Sequence, residues 1–216
     1  ARTGPTGPWL PLEVHEYLGP GGVMEGLRRL RQAGKARFTG FAGAGSDPLL
    51  AKAIFATGEI SLLNTGYNLL NPTAGMPKPA GLEVDVDALQ IIDYAALHGC
   101  GVAILSPLAS GVLTDKAVAE AYRHPLAGTA LLRNPDVYQR RLQRARALAF
   151  LARDGRTLGQ AAVQFILRNP NVTTVLGGFT AVEQVDEMVA ALDAPPLTPE
   201  DLGRIQMVWR SNFGEG

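Results

Sequence analysis

The stretch GVAILSPLASGVL (residues 101–113) is the clearest fold signal in this chain. Residues 102–105 are an uncharged apolar run, which is typical of a strand buried on both faces, as parallel strands are in α/β proteins. Pro107 ends the run because proline has no backbone N–H to donate. A loop of small residues follows, and α/β folds place ligands at the carboxyl ends of such strands. The pattern fits an ordinary turn after a core strand equally well.

Composition and charge limit the function classes open to this protein. The 216 residues carry 20 basic and 20 acidic side chains and are 46% hydrophobic, which suits one globular domain. A net charge of zero argues against nucleic-acid binding. The single cysteine, Cys100, excludes an internal disulfide framework and favours a reducing, cytoplasmic location. No apolar run reaches the roughly 18 residues of a membrane span, so no membrane contact is predicted, and no metal site is predicted either.

Hydrophobic periodicity predicts strands that alternate with helices. An irregular tail is expected over residues 1–10, a single α/β unit over 11–207 and a second tail over 208–216. Five strands are predicted, near residues 12–16, 36–41, 59–64, 102–105 and 172–176. The helix that follows the last of these is predicted to bury Val182, Val185, Val189 and Leu192. A (β/α)₈ barrel needs eight strands and an open doubly wound sheet can use five, so periodicity alone leaves both open.

Several short motifs, taken in order, resemble the aldo-keto reductase superfamily. They are LRRLRQAGKAR (27–37), GYNLL (66–70), SPLASGVL (106–113), TLGQAA (157–162) and VLGGFTAVEQ (175–184). The resemblance is nearest to the L-galactose, L-fucose and D-threo-aldose dehydrogenases. It implies a TIM-type (β/α)₈ barrel that this chain matches from the fourth strand onward, without the first three β/α units.

The resemblance assigns one catalytic residue to this chain. His15 would lie at the end of the first predicted strand, where it would orient and polarise a substrate carbonyl. The aspartate, lysine and proton-donating tyrosine of the family belong to the three units that the match does not include. We therefore expect the chain alone to turn over orders of magnitude more slowly than a complete enzyme.

The cofactor side of the family pattern is better represented. The resemblance implies NAD or NADP, with phosphates held by small-residue loops after the last two strands. Gln184 lies where NADP-using members often carry an arginine, and Gly177 lies near a family lysine, so NAD is at least as well favoured. The residues that the resemblance assigns to cofactor binding are Asn64, Leu105, Ser106, Leu108, Gly111, Leu113, Gly178, Thr180 and Gln184.

Three functions are compatible with these residues. The first is an NAD(P)-dependent oxidoreductase that acts on an aldehyde, ketone or sugar lactol. The second is a non-catalytic binding or scaffold protein that keeps the cofactor half of the barrel. A phosphate-binding isomerase or aldolase is third, disfavoured because no buried strand carries a Schiff-base lysine. Five strands leave open sheet edges, so a second chain, a further segment or a tail carrying Trp9 is expected to cover them.

Overall fold

Four parallel strands form one sheet at the centre of the molecule. The computed structural model describes residues 12–43, 47–122 and 134–215. Within these ranges the strands pair in chain order, β1-β2-β3-β4, so each neighbouring pair is joined by a helical crossover. The strands are β1 (Gly40–Ala42), β2 (Leu62–Gly66), β3 (Gly101–Leu105) and β4 (Thr174–Val175).

Helices occupy most of the remaining described chain. Side chains cap four of the helix starts: Asp47 and Thr157 accept from the Leu49 and Gln160 backbone N–H groups, and Asn134 and Thr198 act likewise. The helices are α1 (Val14–Leu18), α2 (Val23–Gln32), α3 (Pro48–Phe55), α4 (Ile91–Leu97), α5 (Asp115–Glu120), α6 (Pro135–Ala147), α7 (Leu158–Leu167), α8 (Val182–Val189) and α9 (Pro199–Arg210). None of them is long and apolar enough to cross a membrane.

Two of the expectations about strands need correction. The strand predicted over residues 12–16 is wrong, because Val14–Leu18 forms α1, and the sheet of the described chain has four strands rather than five. Glu13 donates its backbone N–H to the Glu16 carboxylate and Gly19 closes the turn onto the His15 carbonyl, which favours a helical turn. A five-residue alternation without a neighbouring strand is too weak a pattern to compete with these local bonds.

The helix after β4 is formed as predicted, but its apolar face is not buried. Val182, Val189 and Leu192 are 71%, 66% and 75% exposed, and Val185 is exposed as well. The physical reason is that β4 is an edge strand within the described ranges, so no further β/α unit there packs over α8. The apolar pattern therefore predicts the helix correctly, but the predicted burial of its apolar face is wrong in the described chain.

The carboxyl-terminal region is part of the core. The tail expected from residue 208 is wrong in its first residues, because α9 continues to Arg210 and both Trp209 and Phe213 are buried. The Trp209 Nε1–H donates to the Leu69 carbonyl over 2.9 Å, and its ring lies 5.8 Å from that of Phe165. These contacts fix the loop after β2 against α9 and α7. The predicted tail over residues 1–10 lies outside the described residues, as does Trp9.

A buried ion pair fastens the start of α9 to the turn before α7. Arg156 and Asp201 are 4% and 1% exposed, and Arg156 Nη2 donates to Asp201 Oδ2 over 3.0 Å. Arg153 Nη2 donates to the other carboxylate oxygen over 3.1 Å. Burial raises the pKa of Asp201, but hydrogen bonds from the Thr198 backbone and from both arginines more than offset this, so the pKa is lowered.

Candidate functional site

The loops that leave β2, β3 and β4 lie side by side at one edge of the sheet. Gly66 is in register with Leu105 and Ile104 with Val175, so these strands end at nearly the same level. The Asn68 side chain donates to the Ser106 carbonyl over 3.1 Å, which ties the loop after β2 to the loop after β3. The sheet therefore brings most of the predicted cofactor residues to its carboxyl edge, where α/β folds bind ligands.

The loop after β3 has an unusual backbone. Ser106, Ala109 and Ser110 have φ angles of 52°, 48° and 65°, in the left-handed region that costs non-glycine residues about 1–3 kcal/mol each. Gly111 follows at 88°. Such strain persists only where the surrounding structure holds it, and successive left- and right-handed residues turn backbone N–H groups toward one side, where they can bind an anion. The Ala109, Gly111 and Leu113 backbone N–H groups already donate to the Ser106 and Leu108 carbonyls within the loop, so only its other N–H groups could contact a phosphate.

Side chains anchor this loop in the core. Leu113 is fully buried, and its backbone N–H donates to the Leu108 carbonyl over 3.2 Å. Leu108 is half-buried and packs against the core, whereas Ser106 is exposed at the loop's start. Of the predicted residues in this loop, Ser106 and Gly111 are thus the ones near the surface, and Leu113 anchors the loop by packing into the core.

The second predicted phosphate loop is exposed and leads into α8. The Thr180 backbone N–H donates to Gln184 Oε1 over 2.9 Å, so the amide of Gln184 folds back on the helix start. A Cβ at Gly177 would collide with the Phe179 ring, which explains glycine there. Gly178 and Thr180 lie at the positive end of the helix dipole, although Glu183 in the first turn opposes an anion.

Asn64 supplies the test of whether a nicotinamide cofactor fits. Its Oδ1 atom is buried and has no hydrogen-bond partner in the described part of the chain. An unsatisfied buried acceptor costs about 1–3 kcal/mol, so a donor from a ligand would be stabilising there. The carboxamide of a nicotinamide ring is such a donor. Asn64 pairs with Ala103 on β3, and Leu105 lies two residues further along that strand. Leu105 is half-buried and provides apolar contact. The residues present fit the cofactor.

His15 does not lie at the end of a strand, where the sequence predicted it. It lies on α1 and its side chain is exposed, so the strand-end position on which its catalytic role was based is wrong. The adjacent Tyr17 packs edge-on against Phe41, with ring centroids 6.3 Å apart. The role of His15 in catalysis stays a prediction.

An arginine-lined cavity adjoins the site and was missed from the sequence. It has a volume of about 280 Å³ and is lined by Arg140, Arg141 and Arg144 of α6 together with Ser106 and Asn68. Part of the signal was available, because Arg144 is four residues from Arg140 and three from Arg141, so it is a helix-surface neighbour of each. The residues described include no group of three or more His, Cys, Asp or Glu side chains that could hold a metal ion.

The family profile described as "Aldo/keto reductase family" matches residues 14–210, which is most of the chain. The chain belongs to the aldo/keto reductase family. The family assignment confirms the resemblance inferred from the motifs and the α/β barrel-type fold that it implied. Members of the family are oxidoreductases that generally use NAD(P)H.

Curated relatives include both enzymes and channel subunits. A putative voltage-gated potassium channel subunit β from Schizosaccharomyces pombe is 32% identical over 152 residues, 67% of this chain and 44% of that protein. An L-galactose dehydrogenase from Arabidopsis thaliana is 27% identical over 84% of this chain and 51% of that protein. An L-glyceraldehyde 3-phosphate reductase from Escherichia coli O157:H7 is 28% identical, with coverages of 81% and 49%. The chain spans about half the length of these relatives.

A solved structure supports the fold. The holo form of an aldo-keto reductase from Bacillus halodurans superposes with a TM-score of 0.60 at 21% sequence identity. The superposition covers 88% of this chain and 56% of that one. The chain is therefore similar in fold to part of an aldo-keto reductase barrel, in agreement with the partial barrel expected from the sequence.

Proposed function

We propose that the protein is an NAD(P)-dependent oxidoreductase that transfers a hydride between the cofactor and an aldehyde, ketone or sugar lactol. The observation that carries the proposal is the buried Asn64 Oδ1 on β2, which has no hydrogen-bond partner in the described chain and is paired with Ala103, two residues before the end of β3. Family membership and the sugar-dehydrogenase relative support the same reaction class. The buried Cys100 thiol, whose pKa is raised by burial, suits action in the reducing cytoplasm.

The chain's own residues would hold the cofactor at three points. Asn64 would accept a hydrogen bond from the carboxamide and thereby fix the face of the nicotinamide ring. Backbone N–H groups of the loop that begins at Ser106, other than those of Ala109, Gly111 and Leu113, would bind the diphosphate, and the loop of Gly178 and Thr180 would make the second phosphate contact. When bound, the cofactor supplies or accepts the hydride. Proton transfer is proposed to use His15 together with the aspartate, lysine and tyrosine of the β/α units that this chain does not match. The chain spans about half the length of its curated relatives.

The cofactor's 2′ position distinguishes NAD from NADP. Gln184 offers an amide rather than a guanidinium, and that amide already bonds to Thr180. A phosphate monoester is best held by a bidentate arginine, so the loss of that group removes the usual preference for NADP. NAD is therefore proposed to bind at least as tightly as NADP.

Titration of the protein with NADH and NADPH, followed by cofactor fluorescence, tests the proposal. The variant Asn64→Leu removes the unpartnered acceptor, so we expect roughly tenfold weaker NADH binding with equal or higher folding stability. Gln164 carries the other buried acceptor without a partner in the described chain, on α7 away from the edge. Gln164→Leu should lower stability, because its amide makes three hydrogen bonds, and leave NADH affinity unchanged. Equal effects of the two variants on NADH binding would contradict the proposal.

A non-catalytic binding role is the second candidate, favoured by the apolar face of α8. Val182, Val185, Val189 and Leu192 form an exposed stripe next to the free edge of β4. We propose that a further β/α segment packs there and extends the sheet, in the same polypeptide or as a second chain. Sedimentation of this chain alone, with and without Val189→Glu, tests it. If this chain alone sediments as a soluble monomer both with and without Val189→Glu, its apolar face needs no cover, which would argue against the covering segment. NADH binding without carbonyl turnover in the whole protein would favour the binding role.

A further inference from the structure

The arginine-lined cavity has a charge arrangement that the fold itself does not explain. Arg140 and Arg144 each face a carboxylate: Asp85 lies 3.4 Å from Arg140, and Glu215 lies 2.6 Å from Arg144. Asp85 also lines the cavity and is the one acidic group among its described lining residues. Arg141 has neither an ion pair nor a hydrogen bond within the described ranges, although its side chain is half-buried.

Helix geometry makes this arrangement costly without a ligand. Arg140 and Arg144 are one turn apart, and Arg141 and Arg144 are three residues apart, so their side chains are neighbours on one face. Like charges at these spacings destabilise a helix. The Arg144 guanidinium is held rigidly, since it also donates to the Glu83 carbonyl over 2.9 Å. An anion between Arg140 and Arg141 would relieve the repulsion that Asp85 compensates only in part.

Cavity size and position narrow the class of anion. A volume of about 280 Å³ lies at the lower end of small-molecule pockets, which hold roughly 300–1,000 Å³, and is too small for a dinucleotide. The cavity shares Ser106 and Gly66 with the carboxyl edge of the sheet, so a ligand seated on the arginines would reach the cofactor site. Guanidinium groups match the oxygens of a phosphate in a bidentate manner.

We propose that this cavity binds the phosphate group of a small sugar phosphate, with Arg141 as its principal ligand and Arg140 as its second. The sugar's carbonyl end would then point toward the carboxyl edge of the sheet, where Gly66 and Ser106 line the cavity. The inference rests on the proposed function for the identity of the molecule as a substrate. The phosphate site itself stands on the cavity's own residues and is tested separately.

Phosphate binding is measured by calorimetric titration of the protein with inorganic phosphate and with glycerol 3-phosphate, at constant ionic strength in chloride. Glycerol serves as the uncharged comparison. We expect saturable binding of both phosphates, weakened roughly tenfold by Arg141→Gln because a charge-assisted hydrogen bond is lost. Arg141→Lys keeps the charge and loses the bidentate geometry, so it should fall between wild type and Arg141→Gln. Circular dichroism confirms that each variant is folded.

The control is Arg146→Gln, which removes an arginine from the same helix outside the cavity lining. Phosphate affinity that is unchanged in Arg141→Gln, or reduced equally in Arg146→Gln, would overturn the proposal. NADH titrated in the presence of saturating glycerol 3-phosphate provides the last comparison. Undiminished NADH affinity supports a separate substrate site, whereas competition would show that the arginines hold the cofactor's diphosphate and would refute the substrate assignment. Phosphate binding without NADH binding would refute only the proposed oxidoreductase function.

Discussion

Replacing Asp201 by asparagine removes the negative charge from the most deeply buried ion pair described in this structure. Arg156 is 2% exposed at its side chain and would remain charged and buried, whereas Arg153 is 37% exposed and can turn toward water. Breaking one side of a buried pair typically costs about 3–5 kcal/mol. Arg156 keeps bonds to the Leu151 and Pro195 carbonyls, so we expect about 3 kcal/mol, at the lower end of that range.

The measurement is urea unfolding followed by far-ultraviolet circular dichroism, with thermal unfolding beside it. A loss of about 3 kcal/mol lowers the melting temperature by roughly 6–12 °C in a domain of this size. Asp154→Asn is the matched control, because the Arg153–Asp154 pair is 37% and 69% exposed and should contribute less than about 1 kcal/mol. Equal effects of the two substitutions would refute the reasoning.

The stability difference between wild type and Asp201→Asn should depend on pH. The pKa of Asp201 is lowered in the folded protein relative to its usual value of about 3.9. Its stabilising contribution is therefore complete above about pH 4 and disappears as the pH falls through the lowered folded-state pKa. The difference in unfolding free energy between wild type and Asp201→Asn should be constant near neutrality and shrink in acid. A stability difference between the two proteins that grows as the pH falls would contradict a lowered pKa of Asp201 in the folded state.

Three further predictions follow from local geometry. Gly81→Ala should lower the free energy of unfolding by more than the roughly 1–2 kcal/mol of left-handed strain, because its Cβ would collide with the Arg210 carbonyl. Gly155 has open space around it, so Gly155→Ala should cost the strain alone. Denaturant unfolding compares the two variants, and equal losses would contradict the collision. Thr157→Ala removes a helix cap and should cost about 1–2 kcal/mol in the same assay, and a loss under about 0.3 kcal/mol would contradict that role. Burial raises the pKa of Tyr67 to about 12, so one phenol should titrate late in ultraviolet absorbance, and Tyr67→Phe should abolish that late step.

Local patterns predicted those elements whose stability is itself local. The capping boxes at Thr157 and Thr198 place two helix starts correctly, because the bonds that define them lie within four residues. The buried strand before Ser106 is equally clear, since an uncharged run of that length has few alternatives. The boundaries of the shorter strands shift by a few residues, because pairing with a neighbour rather than periodicity decides where a ladder ends.

Long-range packing decided the features that the sequence left open. The residues 12–16 carry a strand-like alternation, but a helical turn forms where no neighbouring strand is available in the described chain. The apolar face of α8 predicted burial, but within the described chain no element covers it. The cofactor residues are predicted from the resemblance alone, and the sheet register is needed to show that their loops lie at one edge of the sheet. The spacing of the α6 arginines makes Arg144 a neighbour of Arg140 and of Arg141, but it could not reveal the cavity opposite them.

Amide hydrogen exchange with and without NADH tests most directly whether the carboxyl edge is a dinucleotide cradle. Peptides that cover residues 106–113 and 177–184 should gain protection when NADH binds, because their backbone N–H groups would contact its phosphates. Peptides from the buried helix α7 should show no change. Protection that appears elsewhere while both loops exchange as before, or no change anywhere at saturating NADH and NADPH, would contradict the cofactor site placed at this edge.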